Sequence, residues 1–217
     1  MSIRDERKQQ SRQALLDAAL ALSGQGRAFS SMSLREIAKA ANLVPTAFYR
    51  HFSDMDELGL ELVDQTALQL KQMQYQMGQV VQHQPDTRIQ NCIQLLFKHI
   101  QMHPEPWIFF IAERWGGSAR LRYAIQREIQ YLTTDLSADL GRTQTLNHIH
   151  LQHDLQVLSQ ILMSLAFNWA MSWMDLQRSV AAAELGAQQE QLKLSAITQV
   201  QLLFRGILHW DRNQPSV

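Results

Sequence analysis

A stretch near the N-terminus constrains this chain most, because it reads as two short helices joined by a tight turn. Its sequence, residues 33–52, is SLREIAKAANLVPTAFYRHF. Ser33 and Glu36 have the spacing of a capping box, in which the two residues satisfy each other's backbone N–H groups. Asn42 tolerates the left-handed conformation that ends a helix, and Pro45 suits the first turn of the next one. The pattern predicts a helix-turn-helix, whose second helix can enter the major groove of DNA.

The second helix of this pattern has an apolar side and a polar side. Phe48 and Phe52 are predicted to point inward and to share a small core with Phe29, Leu34 and Ile37. Base-edge contacts come from the start of a recognition helix, whereas phosphate contacts supply affinity rather than sequence reading. The predicted base contacts are Arg35, Pro45, Thr46 and Ala47. The predicted phosphate contacts are Ser33, Tyr49, Arg50 and His51.

Positive charge is segregated to this end of the chain. Up to Phe52 there are eight basic and four acidic side chains, whereas the whole chain has 20 of each sign. Such segregation is typical of a surface that meets nucleic acid. A first helix is predicted over residues 5–23, with Arg4, Lys8 and Arg12 facing outward. The alternative is a plain solvated face, but the adjacent motif favours phosphate contact.

The segment FSSMSLREIAKAANLVPTAFYRHFSDMDELGLELV resembles the N-terminal domain of TetR-family transcriptional repressors, over about residues 10–65. Within that family, PTAFYRHFSDMDELGL is most similar to the FabR/DesT type, and AERWGGSARLRYAIQREIQ extends the similarity more weakly. The family commonly has glycine where this chain has Asn42. The resemblance implies an all-α, TetR-like fold, with a helix-turn-helix DNA-binding domain at residues 1–53 and a ligand-binding and dimerisation domain at 54–217.

Composition also favours helices, because glycine and proline are sparse, at 9 and 5 residues. After the first three, helices are predicted over residues 53–83, 87–102, 107–115, 120–140, 155–180 and 188–212. The first of these is long enough to act as a lever between two domains. Pro104 and Pro106 predict a bend, residues 146–153 a connector, and the run AAAELGA a linker before the last helix.

The helices after Pro85 carry more apolar residues than one bundle layer needs, although packing in the core is the alternative for each of them. The resemblance implies a long apolar tunnel for an acyl thioester, with Arg114, Arg120 or Arg122 near a polar mouth. An acyl chain could gain about 0.8 kcal/mol per buried CH₂ group. The predicted effector-binding residues are Ile93, Leu96, Phe97, Ile100, Phe109, Phe110, Arg114, Leu162, Ala166, Phe167 and Met171.

The last two predicted helices carry wide apolar stripes. Paired with the same helices of a second copy they would form a four-helix bundle, and the resulting two-fold dimer would present two recognition helices to a palindromic operator in double-stranded DNA. On the first helix the stripe is Leu158, Ile161, Leu162, Leu165 and Trp169. On the second it is Leu194, Ile197, Val200, Leu203, Phe204, Ile207, Leu208 and Trp210.

Cysteine usage and hydropathy predict a cytoplasmic protein without a membrane span. Cys92 is the only cysteine, which excludes an intrachain disulfide and fits a reducing compartment. The N-terminus is charged and has no apolar segment typical of a secretory signal. The most apolar run, residues 161–173, is shorter than the about 20 residues that a membrane span needs.

No motif indicates an enzyme, a cofactor or a metal site. The chain has no glycine-rich phosphate loop and no G-x-S-x-G elbow. Its histidines at positions 99, 103, 148, 150 and 153 lack the carboxylate or thiolate partners of a zinc motif, and solvated or capping roles are expected for them. An all-α enzyme is therefore a weak alternative.

The resemblance implies a homodimeric repressor of fatty acid synthesis or desaturation genes. Its effector would be a long-chain acyl-CoA or an acyl carrier protein thioester. Two alternatives stay open at this point: a TetR-type repressor of efflux or catabolism that responds to another hydrophobic small molecule, and a carrier of hydrophobic ligands that does not bind DNA.

Overall fold

The computed structural model describes residues 3–83, 87–143, 146 and 152–208. Within these ranges the chain forms helices and no strand, so the predicted all-α, TetR-like fold is confirmed. The helices are α1 (Ile3–Gly24), a short 3₁₀ helix (Phe29–Ser31), α2 (Leu34–Ala40), α3 (Pro45–Phe48), α4 (Met55–His83), α5 (Arg88–Met102), α6 (Pro104–Gly116), α7 (Ala119–Gly141), α8 (Gln152–Ser179) and α9 (Ala182–Leu208).

Three boundaries differ from the prediction. Pro104 and Pro106, which were expected to form a bend, lie in the first turn of α6. Proline is tolerated there because the N–H groups of the first turn have no acceptor within the helix. The expected linker before α9 is helical from Ala182, since alanine, leucine and glutamate are strong helix formers. The regular part of α3 ends at Phe48 rather than Phe52. Most of the connector 146–153 and the predicted helix end at 209–212 lie outside the described residues.

The chain divides into two compact units, each assembled from separate segments. Unit 1 comprises Met1–Lys71 and His103–Tyr131, and unit 2 comprises Gln72–Met102 and Leu132–Val217. The chain passes from one unit to the other within α4, between α5 and α6, and within α7. The functional boundary at residue 53 and the lever role of the fourth helix stay predictions.

Unit 1 has an aromatic core beneath the helix-turn-helix. Phe29, Ile37, Phe48 and Phe52 are each at most 2% exposed, as the sequence pattern predicts. The Phe48 and Phe52 rings lie 5.7 Å apart, and Phe29 meets Phe109 of α6 edge-on at 5.7 Å. Burying each such side chain contributes about 1.5–3 kcal/mol, so this core, to which α6 also contributes, stabilises the motif.

Unit 2 contains α5, α8 and α9 together with the C-terminal parts of α4 and α7. Phe97 of α5 packs on Trp173 of α8 with ring centroids 4.8 Å apart. Trp169 of α8 donates its indole N–H to Oε1 of Gln199 on α9, at 2.9 Å. Leu155 of α8 belongs to a smaller buried cluster in the same unit. In the part of the chain that the structure describes, no helix combines the length with the apolar character that crossing a bilayer requires.

Candidate nucleic-acid interface

The first helix of the motif begins with the predicted capping box. The Ser33 hydroxyl accepts the N–H of Glu36 at 3.4 Å, and the Ser33 N–H donates to Oε2 of Glu36 at 2.9 Å. The hydroxyl also donates to that same oxygen at 2.9 Å. The Ser33 backbone bond, the Arg27 guanidinium and the Ser33 hydroxyl together lower the pKa of Glu36 to about 2. Both donors of Ser33 are therefore engaged in capping, and this geometry does not support its predicted phosphate contact.

The turn between the helices has the geometry expected from its residues. Asn42 has φ 56°, the left-handed conformation for which it was singled out. The chain closes there, because the N–H of Leu43 donates to the carbonyl of Ala38 at 2.8 Å. After α3, Arg50 and His51 bond carbonyls three residues back, which is the tighter 3₁₀ spacing rather than continued α-helix.

The predicted base contacts divide by exposure. Arg35, Pro45 and Thr46 are exposed at the start of α2 and α3. Ala47 is only 9% exposed, so its methyl group packs inward and its predicted base contact is not supported. Val44 was missed by the sequence analysis, although it is 64% exposed beside Pro45. The signal was an apolar side chain at the N-cap of α3, a position where polar side chains are preferred.

Two predicted phosphate contacts are accessible. Tyr49 is 62% exposed and Arg50 is exposed, both directly after α3. His51 differs, because its Nε2 lies 2.8 Å from the Ser11 hydroxyl of α1 and its Nδ1 is buried with no partner among the described residues. Burial first, then the charges of Lys8 and neighbouring arginines, lowers the pKa of His51. His51 is therefore engaged by α1, and this geometry does not support its predicted phosphate contact.

Arg12 is also committed within unit 1. Its guanidinium forms a bidentate ion pair with the carboxylate of Glu61 on α4 and lies 4.9 Å from the centroid of the Phe52 ring. The pair is partly exposed, so its role is to join α1, α4 and the end of the recognition segment. The predicted outward stripe of α1 loses this cation, while Lys8 remains exposed.

Glu113 of α6 is a buried acid that the sequence analysis overlooked. It is fully buried, and its Oε1 lies 3.5 Å from the N–H of Ser30, close to the cap of α2. Its Oε2 has no partner within the described ranges, and burial raises the pKa of this carboxyl despite the nearby N–H groups of Phe29 and Ser30. A single acid inside the apolar run WIFFIAERW was the available signal. Glu113 anchors α6 to the segment that leads into the helix-turn-helix.

We expect Glu113→Gln to stabilise the protein above neutral pH. The folded-state pKa is raised above the ordinary value of 4.5, so the stability that Glu113 contributes is present below pH 4.5 and is lost as the pH rises through the raised pKa. Glutamine keeps the acceptor for Ser30 and cannot ionise. The melting temperature should exceed that of the wild type by about 3 °C at pH 8, the shift that about 1 kcal/mol gives at this size, and by less at pH 5. Exposed Glu184→Gln is the control; a gain for Glu113→Gln that is equal at both pH values would contradict this reason.

The predicted effector residues fall into both units. In unit 2, Ile93, Leu96, Phe97, Ile100 and Phe167 are buried, and Leu162 and Ala166 are partly buried. Met171 is 46% exposed, so within a single chain it does not line an enclosed cavity.

The remaining predicted effector residues belong to α6 in unit 1. Phe109 and Phe110 are fully buried there, and Phe109 packs on Phe29, so both are core residues of the helix-turn-helix unit. The Arg114 guanidinium lies 5.5 Å from the centroid of the Trp115 ring.

The predicted dimer stripes are split between core and surface. Leu158, Trp169 and Val200 are buried within unit 2, whereas Ile161 and Leu194 are 42% and 64% exposed. Two further exposed apolar residues, Val157 and Leu202, were not predicted. The others, Leu162, Leu165, Ile197, Leu203, Phe204 and Ile207, are partly buried. The Leu208 side chain and Trp210 lie outside what the structure describes.

A helix-turn-helix with an exposed second helix is the arrangement with which many transcriptional regulators enter the major groove of DNA. Residues 15–62 match the family model described as "Bacterial regulatory proteins, tetR family". The N-terminal segment of the chain is thus similar to the DNA-binding domain of TetR-family regulators. Regulators of this family bind DNA operators, dimerise and bind small-molecule effectors.

Solved structures share the fold over nearly the whole chain. The fatty acid degradation regulator FadR from Bacillus halodurans is 14% identical, with 94% of this chain and 97% of that one covered and a TM-score of 0.64. A TetR-family regulator from Syntrophomonas wolfei is 15% identical, with 94% and 99% covered and a TM-score of 0.69. NalD of Pseudomonas aeruginosa, the secondary repressor of the MexAB-OprM multidrug efflux pump, is 19% identical, with 91% and 96% covered and a TM-score of 0.60. At these identities the likeness shows the fold.

Proposed function

We propose that the chain is a homodimeric repressor of fatty acid synthesis or desaturation genes that responds to a long-chain acyl thioester. The observation that carries the DNA-binding part is the exposed row of Arg35, Pro45 and Thr46, held at the start of two helices on a buried aromatic core. The pathway rests on the sequence resemblance to the FabR/DesT type, and the solved fatty acid regulator of the same fold is consistent with it.

The proposed base readers are those that the structure leaves accessible. Arg35 can donate two N–H groups to guanine O6 and N7, and Thr46 can bond either an acceptor or a donor edge. Val44 and Pro45 offer apolar contact to a thymine methyl group. Tyr49 and Arg50 are the proposed phosphate contacts, and their exposure supports this assignment.

The proposed dimer contact lies on α8 and α9 of unit 2. Ile161, Leu165 and Val157 recur along α8 at helical spacing, and Leu194 and Leu202 lie eight positions apart on α9. Large apolar side chains exposed in this way are typical of a face that a partner covers. A second copy of the chain is the partner that a palindromic operator requires.

The proposed effector region is the apolar interior of unit 2, where α5 supplies Ile93, Leu96 and Ile100. A bound acyl chain can shift the equilibrium between a DNA-binding and a non-binding conformation only if it binds one of them more tightly. The size of the shift equals that difference in affinity. A second candidate function is repression of an efflux pump, as NalD does, with another hydrophobic effector; the shared fold is what favours it.

We expect Arg35→Ala and Tyr49→Phe to weaken DNA binding in different ways. The assay is fluorescence anisotropy on DNA from upstream of this chain's own gene, at two salt concentrations. Arg35→Ala should lose about 1–3 kcal/mol of binding free energy and should weaken the base preference at one position of the operator. Tyr49→Phe should weaken binding to all DNA sequences equally, by about threefold, because it removes one hydrogen bond to a phosphate.

The matched control is Arg142→Ala, which removes an exposed arginine from unit 2 and should leave DNA affinity unchanged. Myristoyl-CoA is then added to the wild-type complex. Operator binding that no acyl-CoA alters would overturn the fatty acid part of the proposal, and absence of salt-sensitive binding to the upstream DNA would overturn the repressor itself.

A further inference from the structure

Trp173 of α8 buries an indole N–H for which the described residues supply no acceptor. The side chain is 1% exposed, and its Nε1 finds no acceptor among the residues that the structure describes. The indole N–H can only donate, so no rearrangement of its own proton satisfies it. Leaving such a donor buried and unpaired costs about 1–3 kcal/mol, and buried side-chain donors are paired in the large majority of cases. This donor therefore needs a specific explanation.

The tryptophan one turn earlier shows that the position is unusual. Trp169 is also buried, at 3% exposed, but its N–H donates to Gln199 at 2.9 Å. The same helix thus carries two buried indoles in unit 2, one satisfied by the protein and one that is not. The Trp173 N–H is therefore the one of the two that is available to an acceptor on a bound ligand.

The surroundings of Trp173 specify the chemistry of that acceptor. Phe97 of α5 packs on the indole, and the same face of α5 continues with buried Ile93 and Ile100. The Lys193 ammonium of α9 lies 5.5 Å from the centroid of the same ring. Lys193 also pairs with Glu190 at 2.6 Å, and its side chain is 27% exposed. One neutral donor, one cation and an apolar wall suit an oxygen acceptor at the end of an alkyl chain.

We infer that the Trp173 N–H binds the carbonyl or carboxylate oxygen of the effector, with the alkyl chain against α5. This inference rests on the proposed function, because it assigns the polar contact of the effector region proposed above. The oxygen could belong to a thioester or to a free fatty acid, which share the carbonyl group and differ in charge. Neither Trp173 nor Lys193 was among the residues expected from the sequence.

The test compares two equivalent substitutions by isothermal titration calorimetry on the full chain. Trp173→Phe removes the donor and keeps a ring against Phe97, while Trp169→Phe removes the donor already paired with Gln199. The probes are myristoyl-CoA, myristate and tetradecylamine, which have the same tail. The ammonium of tetradecylamine offers no acceptor.

We expect Trp173→Phe to weaken binding of myristate or myristoyl-CoA about tenfold, the effect of one buried hydrogen bond, and to leave tetradecylamine unchanged. Trp169→Phe should change none of the three. The probe that responds identifies the thioester or the free acid as the source of the oxygen. Equal weakening for all three probes, no weakening, or no binding by either acyl probe would overturn the inference.

A second measurement covers the case in which Trp173→Phe does not fold. The indole ¹H–¹⁵N resonances of the wild-type chain are recorded with and without myristate, and the Trp173 proton should move downfield as it gains an acceptor. A stationary Trp173 resonance with bound myristate overturns the inference. If myristoyl-CoA releases operator DNA but the Trp173→Phe variant binds myristoyl-CoA as tightly as the wild type, the inference is also overturned. The repressor function would then still stand.

Discussion

Replacing Ile161 and Leu194 together by glutamate is expected to give a folded monomer that has lost operator binding. Both side chains are exposed in the single chain, at 42% and 64%, so the charges do not enter the core of unit 2. In the proposed dimer they would be buried in an apolar contact, where an unpaired carboxylate is strongly unfavourable. A monomer presents one recognition helix, so operator affinity should fall at least about 10²-fold through lost bivalency.

Light scattering after size exclusion gives the mass of the variant, and anisotropy gives its affinity for operator DNA. The control is Gln177→Glu with Gln188→Glu, which adds the same charge to the same two helices. Gln177 lies on nearly the opposite side of α8 from Ile161 at 3.6 residues per turn. A double glutamate variant that stays dimeric would place the interface elsewhere, and a control that also dissociates would show that added charge alone is responsible.

Two glycines of α4 are expected to respond to alanine with opposite sign. A Cβ atom on Gly59 would lie 2.8 Å from Cδ2 of Leu121 and 2.8 Å from Cε1 of Phe29. Both neighbours are nearly fully buried, and Phe29 is held edge-on by Phe109, so neither can move without disturbing unit 1. Overpacking of this kind costs about 1–3 kcal/mol. A Cβ atom on Gly78 would meet nothing within 4 Å.

Gly59→Ala should therefore lower the melting temperature, and Gly78→Ala should raise it by about 2–4 °C, because alanine gains about 1 kcal/mol in a helix interior. The two variants share the helix and the chemical change, so the difference between them isolates the contact with Phe29 and Leu121. Differential scanning calorimetry measures both. If Gly59→Ala is as stable as Gly78→Ala, the close approach of α4 to the helix-turn-helix core is wrong.

The helix-turn-helix could be predicted because its determinants are local. Ser33 and Glu36 cap α2 three residues apart, and Asn42 takes the left-handed conformation with φ 56°. Helix bonds span four residues, so the identity of near neighbours is enough to place such elements. The same local reasoning failed at the AAAELGA run, where good helix formers outweighed a single glycine.

The sequence by itself thus determined the all-α fold, the capped turn of the motif and the aromatic core beneath it, since periodicity and capping act within a few residues. Only the tertiary structure decided which partners individual polar and aromatic side chains contact. His51 contacts Ser11, 40 positions away, and Glu113 contacts Ser30, 83 positions away. Phe109 packs on Phe29. Within the described part of the chain, no such partner reaches the Trp173 N–H. Burial and pairing depend on which helices meet, and no local pattern contains that information.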